Sequence, residues 1–407
     1  MSQPQFDFDT VINRHGSGSF KWDSTPDTNT LPMFVADMDF RTAPAILDAL
    51  HQRIDHGVFG YTWIRDEYYE ALNHWFSSRY GMAIGREEVL PTLGVVPAIS
   101  AILRAEADHC GHRDFGVIVQ TPVYHCFFSC IRHQGARIVE NALQMDEQGR
   151  YQIDFDDLEQ KAAHPGNRVM LLCHPHNPSG RVWSREELQR IGEICARHQV
   201  LVVSDEIHCD LTFPGIGHTP FATLSPEFGA SCITLNSPSK TFNIAGLQIA
   251  NLIIQNPTLR NRVRKAMQIH EIGSVNALGV ESLIAAYQQG DHWLEALRDY
   301  LYQNYRTIQQ FLQEQLPELT LYPQDSTYLA WINCAATGLD SAILSKRLLE
   351  EGQLRISSGC GFLPAPDPQQ CYIRLNFACP NVLLLDGLQR LAHVIRPLLT
   401  DRPLQPA

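Results

Sequence analysis

One lysine stands between small polar residues and a long apolar run. Lys240 lies in the stretch NSPSKTFNIAGLQ (236–248), and the apolar run continues to residue 254. A lysine held against apolar walls has a lowered pKa, and its neutral amine can act as a nucleophile and form a Schiff base. A lysine can also bury its stem and place its ammonium in water. The groups around Lys240 decide between these two hypotheses.

An amide, a carboxylate and an imidazole follow two other apolar runs. Asn177 lies in CHPHNPSG (173–180), and Asp205 and His208 lie in SDEIHCD (204–210). In open α/β sheets, ligands bind beyond the carboxyl ends of the strands. If the runs before these residues are neighbouring parallel strands, the three groups and the lysine lie at one edge of one sheet.

A glycine and two serines offer a place for a phosphate. Gly94 lies in TLGVVPAISAIL (92–103), in a loop before a helix that opens near Pro97, since proline is favoured in a first helical turn. A helix N-terminus presents free backbone N–H groups and the positive end of the helix dipole to an anion. Ser237 and Ser239, beside the lysine, add hydroxyl donors.

Together these groups match the requirements of pyridoxal 5′-phosphate (PLP). The cofactor needs an amine for its Schiff base, a carboxylate that keeps its pyridine nitrogen protonated, a donor to its phenolic oxygen and a phosphate site. Lys240, Asp205 and Asn177 supply the first three. Tyr124, in TPVY after another apolar run, adds a ring that stacks on the pyridine. The combination favours the Schiff base over a solvated lysine.

Five apolar runs of strand length position these residues. They are apolar throughout, which is typical of strands covered on both faces of a sheet. Between the second and third run, residues 184–199 predict a helix, because Ser184 and Glu187 have the spacing of a capping box. A strand, a helix and a strand in that order predict a right-handed crossover and a mostly parallel α/β sheet. The runs are FGVIVQTP (115–122), RVMLLCHP (168–175), VLVVSDEI (200–207), CITLNSPS (232–239) and LQIANLII (247–254).

The pattern changes after about residue 285. Long amphipathic helices and a strand, CYIRLNFA (371–378), predict a second, smaller α+β domain there. We therefore predict a large PLP-binding α/β domain over residues 46–285. The small α+β domain is predicted to combine the N-terminal segment 1–45 with residues 286–407.

The composition excludes several classes of protein. The 407 residues are 44% hydrophobic and 19% charged, which is typical of a folded protein of about two domains. The net charge of −12 argues against a nucleic-acid partner, which needs a positive surface. No run approaches the roughly 20 apolar residues of a membrane span, and the first residues lack a secretory pattern. Eleven scattered cysteines without a CxxC pair indicate free thiols and a cytoplasmic protein.

Several motifs resemble the fold-type I PLP enzymes of the class I/II aminotransferase superfamily. These are HNPSG, SDEIHCDL, SPSKTFNIAGLQ and IRLNFACP. Within that superfamily, MFVADMDF (33–40), HGVFGYT (56–62) and SDEIH resemble the cystathionine β-lyase branch of cytosolic C–S lyases. The resemblance covers nearly the whole chain. It implies a PLP-dependent enzyme that acts on a small amino-acid substrate.

The resemblance implies a role for each cofactor-binding residue. Lys240 holds PLP as a Schiff base, Asp205 pairs with the pyridine nitrogen and Asn177 with the phenolic oxygen. Tyr124 stacks on the ring. His208 stands where aspartate aminotransferases carry a tyrosine that reaches the phenolic oxygen. The residues that bind the phosphate are Gly94, Val95, Val96, Ser237 and Ser239.

The resemblance also implies how the substrate is bound. Arg374 holds the α-carboxylate, and Asn177 and Tyr61 belong to the same substrate-binding set. Tyr61 reaches the phosphate in the neighbouring subunit, which requires a homodimer with its active site at the interface. From the residues alone, Arg374 has a second interpretation, a place on the solvated face of its strand. A bidentate guanidinium is nevertheless what carboxylate recognition calls for.

The predicted reaction is β-elimination from L-cystathionine, or from a related β-thio amino acid such as L-cysteine, to a thiol, pyruvate and ammonia. The alternative is an amino-acid aminotransferase, which shares the steps up to loss of the α-proton. A third hypothesis is a PLP-fold protein that acts as a regulatory or binding partner, although Lys240 and Asp205 are both retained. We expect no metal, because CHPH and DEIHCD lack the HExxH or CxxC spacing of metal sites.

Overall fold

The computed structural model describes residues 6–25, 27–365, 367 and 371–400. The outer ends of the predicted small domain, residues 1–5 and 401–407, lie outside the described residues. Within the described ranges, no helix is both long enough and apolar enough to cross a membrane.

The strands form one large sheet, one smaller sheet and two short pairs. In chain order they are β1 (Leu31–Pro32), β2 (Val89–Thr92), β3 (Gly116–Val119), β4 (Arg137–Glu140), β5 (Gln144–Met145), β6 (Tyr151–Gln152), β7 (Asn167–Cys173), β8 (Leu201–Asp205), β9 (Cys232–Asn236), β10 (Ala250–Ile253), β11 (Thr320–Leu321), β12 (Leu329–Asn333), β13 (Leu354–Arg355), β14 (Ser357–Ser358) and β15 (Tyr372–Asn376).

The helices range from one turn to seven turns. In chain order they are α1 (Phe20–Asp23), α2 (Pro44–His56), α3 (Asp66–Tyr80), α4 (Val95–Cys110), α5 (His125–His133), α6 (Phe155–Ala162), α7 (Arg185–Arg197), α8 (Pro226–Ala230), α9 (Pro238–Thr241), α10 (Pro257–Ile269), α11 (Ala277–Gln289), α12 (Asp291–Gln315), α13 (Ser341–Gly352) and α14 (Asn381–Thr400).

The large sheet has seven strands in the order β2-β10-β9-β8-β7-β3-β4. Neighbours from β9 to β4 run parallel, whereas β10 runs antiparallel to both β9 and β2. The prediction of a mostly parallel α/β sheet is confirmed. The apolar run 247–254, predicted as a strand, forms the antiparallel member β10.

Helix α7 connects β7 to β8 and has the predicted capping box. The hydroxyl of Ser184 accepts the N–H of Glu187 at 3.2 Å, and the Glu187 carboxylate accepts the N–H of Ser184 at 2.7 Å. Each bond satisfies a backbone donor that the first helical turn leaves free. Leu188 and Ile191 are fully buried on the face that covers the sheet. The predicted crossover between the two strands is therefore present.

Both faces of the large sheet are buried, which explains why its strands are apolar throughout. In β7, Met170 and Leu172 belong to one hydrophobic cluster, whereas Leu171 and Cys173 belong to another. Successive side chains of a strand point to opposite faces, so each cluster fills one side of the sheet. The polar groups of these strands are therefore concentrated at their ends.

A second sheet follows α12 in the chain. Its four strands are antiparallel in the order β11-β12-β15-β14, and α13 packs against α14 beside it. All strands of the large sheet lie between residues 89 and 253, and those of the small sheet lie between 320 and 376. The domain division at 46–285 stays a prediction.

Candidate active site

A cavity of about 200 Å³ lies at the carboxyl ends of the large sheet's central strands. Its wall contains the predicted groups that follow these strands and the residues that open the adjacent helix α4. The two predicted serines are the exception. The lining residues are Ala36, Gly94, Val95, Val96, Pro97, Tyr124, Cys173, Asn177, Asp205, Ile207, His208 and Lys240.

The register of the parallel strands brings these side chains together. Asp205, the last residue of β8, pairs with Cys173 of β7 on one side and with Leu235 of β9 on the other. The three strands therefore end at nearly the same level. Asn177 follows the first of them by four residues, and Lys240 follows the third by four, on the short helix α9.

The Lys240 amine is held inside the protein. Its Nζ atom donates a 2.6 Å hydrogen bond to the carbonyl oxygen of Ala36, which also accepts the hydroxyl of Tyr328 at 2.9 Å. Burial lowers the pKa of Lys240 to about 8, against the opposing pull of the Asp37 carboxylate. An amine with this pKa is partly neutral near physiological pH and can act as a nucleophile. The amine therefore has a partner within the chain, which favours the Schiff base over a solvated ammonium, and the Schiff base stays a prediction.

The carboxyl of Asp205 is buried at the centre of the cavity wall, with 4% of the residue exposed. Its Oδ1 atom accepts the N–H of Ile207 at 3.2 Å. Burial, with a smaller contribution from the neighbouring Glu206, raises the pKa of this carboxyl to about 7. Among the described residues, no lysine or arginine forms an ion pair with it. A cation placed in the cavity would stabilise its ionised form.

Arg374 on β15 lies beside the cavity with 4% of its surface exposed. Its Nη1 donates to Oδ1 of Asn177 at 3.0 Å, and its Nη2 donates to the carbonyl oxygen of Phe34 at 2.9 Å. The guanidinium also lies 4.8 Å from the centre of the Phe362 ring. It has no carboxylate partner in the described chain, and burial lowers its pKa to about 10. The hypothesis of a solvated face is wrong, and the group is suited to an anion from outside the chain.

Two rings complete the cavity wall. Tyr124 precedes α5, and burial raises the pKa of its phenol. His208 is 3% exposed, and burial lowers its pKa to about 3, so its imidazole is neutral. The Nδ1 atom of His208 is buried without a hydrogen-bond partner among the described residues. A buried polar atom of this kind normally has a partner, which a bound molecule would supply.

The N-terminus of α4 forms the opposite side of the cavity. Gly94 is the residue before the helix, and Val95 and Val96 occupy its first turn with their backbone beside the cavity. No side chain caps this end of the helix. The free N–H groups and the helix dipole therefore make it an anion site. The helix begins at Val95, two residues before the predicted position near Pro97.

Most of the chain matches known proteins. The family model of aminotransferases of class I and II matches residues 29–391. The chain belongs to that family. Cystathionine beta-lyase PatB of Bacillus subtilis is 40% identical over 388 residues, which are 94% of this chain and 98% of that protein.

Two solved structures of enzymes share the architecture of this family member. Cystalysin from Treponema denticola, which contains a pyridoxal 5′-phosphate cofactor, has a TM-score of 0.92 at 32% identity, covering 97% of this chain and all of that chain. The PLP-bound C–S lyase from Staphylococcus hominis has a TM-score of 0.89 at 32% identity, covering 97% of this chain and 99% of that chain. The family and the fold inferred from the motifs are both confirmed.

The two serines of this class I and II family member are placed differently from the rest of the predicted set. Neither lines the cavity. Ser237 is 2% exposed, and its hydroxyl donates to the carbonyl oxygen of Ile249 at 2.6 Å while it accepts the N–H of Ser239 at 3.0 Å. Its proton is therefore committed to Ile249, while its oxygen caps α9. The Ser239 hydroxyl has no partner among the described residues and keeps its donor.

Tyr61 is fully exposed and does not join the other predicted residues within one chain. It lies on the loop between α2 and α3, where it lines a separate cleft with Phe59, Ile64 and residues 273–278. Its predicted contact with a phosphate therefore depends on a second copy of the chain. The role of Tyr61 stays a prediction.

Sequence reasoning missed the contribution of the N-terminal segment. Ala36 lines the cavity, and its carbonyl oxygen is the partner of the Lys240 amine. Tyr328 donates to the same oxygen. A contact made by a backbone carbonyl leaves no signal in a residue type, and Ala36 lies 204 positions before the lysine.

Proposed function

We propose that this chain is a PLP-dependent carbon–sulfur β-lyase that cleaves L-cystathionine or a related β-thio amino acid such as L-cysteine. The products are a thiol, pyruvate and ammonia. The observation that carries the proposal is the amine of Lys240, which shares one cavity with the Asp205 carboxylate. Arg374, which has no carboxylate partner among the described residues, is one of the charges that act on this amine. Two relatives, named as a cystathionine β-lyase and a C–S lyase, support the same reaction.

The cavity fits pyridoxal 5′-phosphate. Lys240 would form the covalent link, Asp205 would face the ring nitrogen, and the free N–H groups of α4 would bind the phosphate. The unpartnered Nδ1 of His208 and the available amide nitrogen of Asn177 would meet the polar edge of the ring. Tyr124 would stack on its face. When bound, the cofactor supplies an electron sink for the pair released from the substrate's α C–H bond.

Arg374 would bind the α-carboxylate of the substrate. Its guanidinium is oriented by Asn177 and by the carbonyl oxygen of Phe34, so it is preorganised before a substrate enters. Its burial strengthens the interaction with an anion, because little water competes for the charge. A planar guanidinium that binds a carboxylate through two bonds also fixes the orientation of the α-carbon.

Lys240 would move the α-proton. With its pKa lowered to about 8, part of the amine population is neutral and accepts the proton from the α-carbon. The electron pair from this C–H bond then forms the bond between the α- and β-carbons as the C–S bond breaks, and the thiolate leaves with the C–S pair. Water hydrolyses the remaining unsaturated amine to pyruvate and ammonia.

The second candidate is an amino-acid aminotransferase, which the name of the family model favours. Both reactions need the same lysine, carboxylate and arginine up to loss of the α-proton. They differ afterwards, because transamination returns the proton to another atom and needs a keto acid to complete the cycle. A β-lyase needs a leaving group on the β-carbon and no keto acid.

The active form is proposed to be a homodimer in the cytoplasm. Four apolar or aromatic side chains are exposed within a few residues of one another, at Val58, Phe59, Tyr61 and Trp63. A patch of this kind marks an interaction surface. A second copy of the chain on this surface would carry Tyr61 towards the neighbouring cavity. All eleven cysteines are free thiols, which supports a reducing compartment.

The test is a comparison of product formation from three reactant sets. PLP-loaded protein is given L-cystathionine alone, L-cysteine alone, or L-glutamate with a keto acid. The proposal expects a thiol from at least one sulfur amino acid in the absence of the keto acid. Amino transfer that requires the keto acid, with no thiol from either sulfur substrate, would instead establish the aminotransferase.

A further inference from the structure

The backbone of residues 34–40 is bound along its length by side chains of the catalytic region. The carbonyl oxygen of Phe34 accepts Arg374, and that of Ala36 accepts Lys240. Further acceptors are the carbonyl oxygens of Val35, Asp37, Met38 and Phe40, whose donors are the side-chain amides of Asn376 and Asn243. Both functional cations therefore bond to the backbone of this segment.

The other side of the same segment is held by ionic contacts. We call Arg14, Lys21, Asp37 and Asp39 the N-terminal ion cluster. Lys21 is 1% exposed, and its Nζ lies 2.7 Å from Oδ2 of Asp39. Arg14 binds Oδ1 of Asp39 at 2.6 Å and Oδ2 of Asp37 at 2.8 Å, and it also donates to the carbonyl oxygen of Met38 at 3.0 Å.

The charged groups of this cluster are largely buried, so its stability depends on their accurate placement. Asp39 is 3% exposed, and its Oδ1 also accepts the indole N–H of Trp22 at 2.8 Å. Buried charges are tolerated in a folded protein only when oppositely charged partners lie within bonding distance. The loss of one partner leaves the other charge buried and uncompensated. The cluster therefore contacts each of residues 37–39. Ala36 and Phe34, which contact the two cations of the active site, are one and three residues away.

We propose that Arg14, Lys21 and Asp39 are positioning residues for the reaction: they hold the 34–40 segment so that the carbonyl oxygens of Ala36 and Phe34 orient the Lys240 amine and the Arg374 guanidinium. This proposal rests on the proposed function for the role of the two cations. None of the three residues lines the cavity, so their effect passes through the backbone of the segment. Positional errors of about 1 Å in a catalytic group can slow a reaction roughly 100-fold.

The first measurement uses the amine of Lys240 itself, in protein from which PLP has been removed. A water-soluble amine reagent labels neutral lysines, and mass spectrometry gives the labelling rate of Lys240 against pH. The charged or titratable groups that act on this amine are Asp37, Arg374, Asp205 and Cys126. Displacement of the 34–40 segment admits water to the amine, so the midpoint of labelling should rise from about 8 towards the ordinary lysine value of 10.5.

The second measurement uses PLP-loaded protein and L-alanine, which has no leaving group on its β-carbon. Exchange of the α-proton with deuterium from the solvent reports the proton transfer alone. Asp39→Asn and Arg14→Met should slow this exchange roughly 10- to 100-fold. Arg14→Lys keeps a cation and should recover part of the rate. The Arg14 side chain is 21% exposed. The Arg14 variants therefore test the proposal if Asp39→Asn does not fold.

Two controls separate positioning from stability. Leu158→Ala truncates a fully buried side chain of α6 and lowers stability away from the segment. Asp108→Asn removes an exposed partner of Arg104. Neither control should change the labelling midpoint of Lys240 or the exchange rate. The proposal is overturned if Asp39→Asn and Arg14→Met resemble Leu158→Ala, with lower stability but an unchanged midpoint and rate. A raised midpoint in Asp39→Asn and Arg14→Met, with no thiol released from L-cystathionine or L-cysteine by the unsubstituted protein, would keep this inference and reject the proposed function.

Discussion

The Nη1 atom of Arg374 donates a 3.0 Å hydrogen bond to the Oδ1 atom of Asn177. This bond joins β15 of the small sheet to the loop after β7 of the large sheet. It directs the amide nitrogen of Asn177 away from the guanidinium, where it remains a donor. A residue proposed to bind the substrate and a residue proposed to bind the cofactor are thereby fixed relative to each other.

Replacement of Arg374 tests its proposed contact with the α-carboxylate. Arg374→Met removes the charge-assisted bonds, which are each worth about 1.5–3 kcal/mol, so the KM for L-cystathionine should rise by at least about tenfold. Steady-state kinetics measure the change. Arg374→Lys keeps a charge without the bidentate geometry and should recover little. Arg347→Met, which alters an exposed helix pair, is the control and should keep the original KM.

Lys240 should be indispensable. Lys240→Ala removes both the covalent link to the cofactor and the base that takes the α-proton, so turnover should fall by at least about 10³-fold. Pyruvate release and the visible absorption of the bound cofactor measure the two losses separately. Lys346→Ala alters a lysine that is 72% exposed and should leave both unchanged. Full activity in Lys240→Ala would exclude Lys240 as the base and as the covalent link to the cofactor.

Asp205→Asn should have opposite effects with and without the cofactor. In the cofactor-free protein, burial raises the pKa of Asp205 from 3.8 to about 7. The folded state then binds the proton more tightly than the unfolded chain, so the stability from this carboxyl is present below about pH 4 and is lost as the pH rises through 7. Cofactor-free Asp205→Asn should therefore be the more stable protein at pH 8, by on the order of 1 kcal/mol or more, and the difference should vanish near pH 4.

Chemical denaturation at the two pH values measures this difference. With PLP bound, the substitution should weaken cofactor affinity and lower turnover, since the ring nitrogen loses its anionic partner. Equal stability of the two cofactor-free proteins at pH 8 would contradict this prediction. Ionisation of the Asp205 carboxyl would then not lower the free energy of unfolding, and the carboxyl would have a partner that the structure does not contain.

The exposed loop between α2 and α3 should carry a subunit interface. Phe59→Asp places a charge in the exposed apolar patch, and sedimentation velocity should show a monomer in place of a dimer. Activity should fall in parallel, because Tyr61 then cannot reach a second cavity. Val382→Asp changes another exposed apolar residue, on α14, and should remain dimeric. A fully active monomeric Phe59→Asp protein would remove Tyr61 from the proposed site.

Much of the large sheet and its cavity followed from the sequence, because the patterns that predict them are local. Each apolar run marked a strand buried on both faces, and the ends of the parallel strands placed polar groups at the same edge. Asp205, Asn177 and Lys240 met there because parallel strands align their carboxyl ends. The start of α7 was predictable from local sequence as well, because Ser184 and Glu187 of its capping box lie within one helical turn.

The contacts that were not predicted are long-range or involve the backbone. The hydroxyl of Ser237 suggested a phosphate contact, but the chain folds the carbonyl oxygen of Ile249 onto it, twelve residues later. The partner of Lys240 is a carbonyl oxygen, which every residue carries. Lys21 gave no signal among other lysines, although tertiary packing buries it almost completely. Local patterns contain none of this information.

The most direct test of the account is the amount of pyruvate formed per active site. PLP-loaded protein is incubated with L-cystathionine in the absence of any keto acid, and pyruvate and homocysteine are followed together. We predict many equivalents of pyruvate per cofactor, with an equal amount of homocysteine and none with Lys240→Ala. No pyruvate and no homocysteine would contradict β-elimination of cystathionine. So would one equivalent per site of a keto acid that keeps its sulfur, with more formed only after a second keto acid is added.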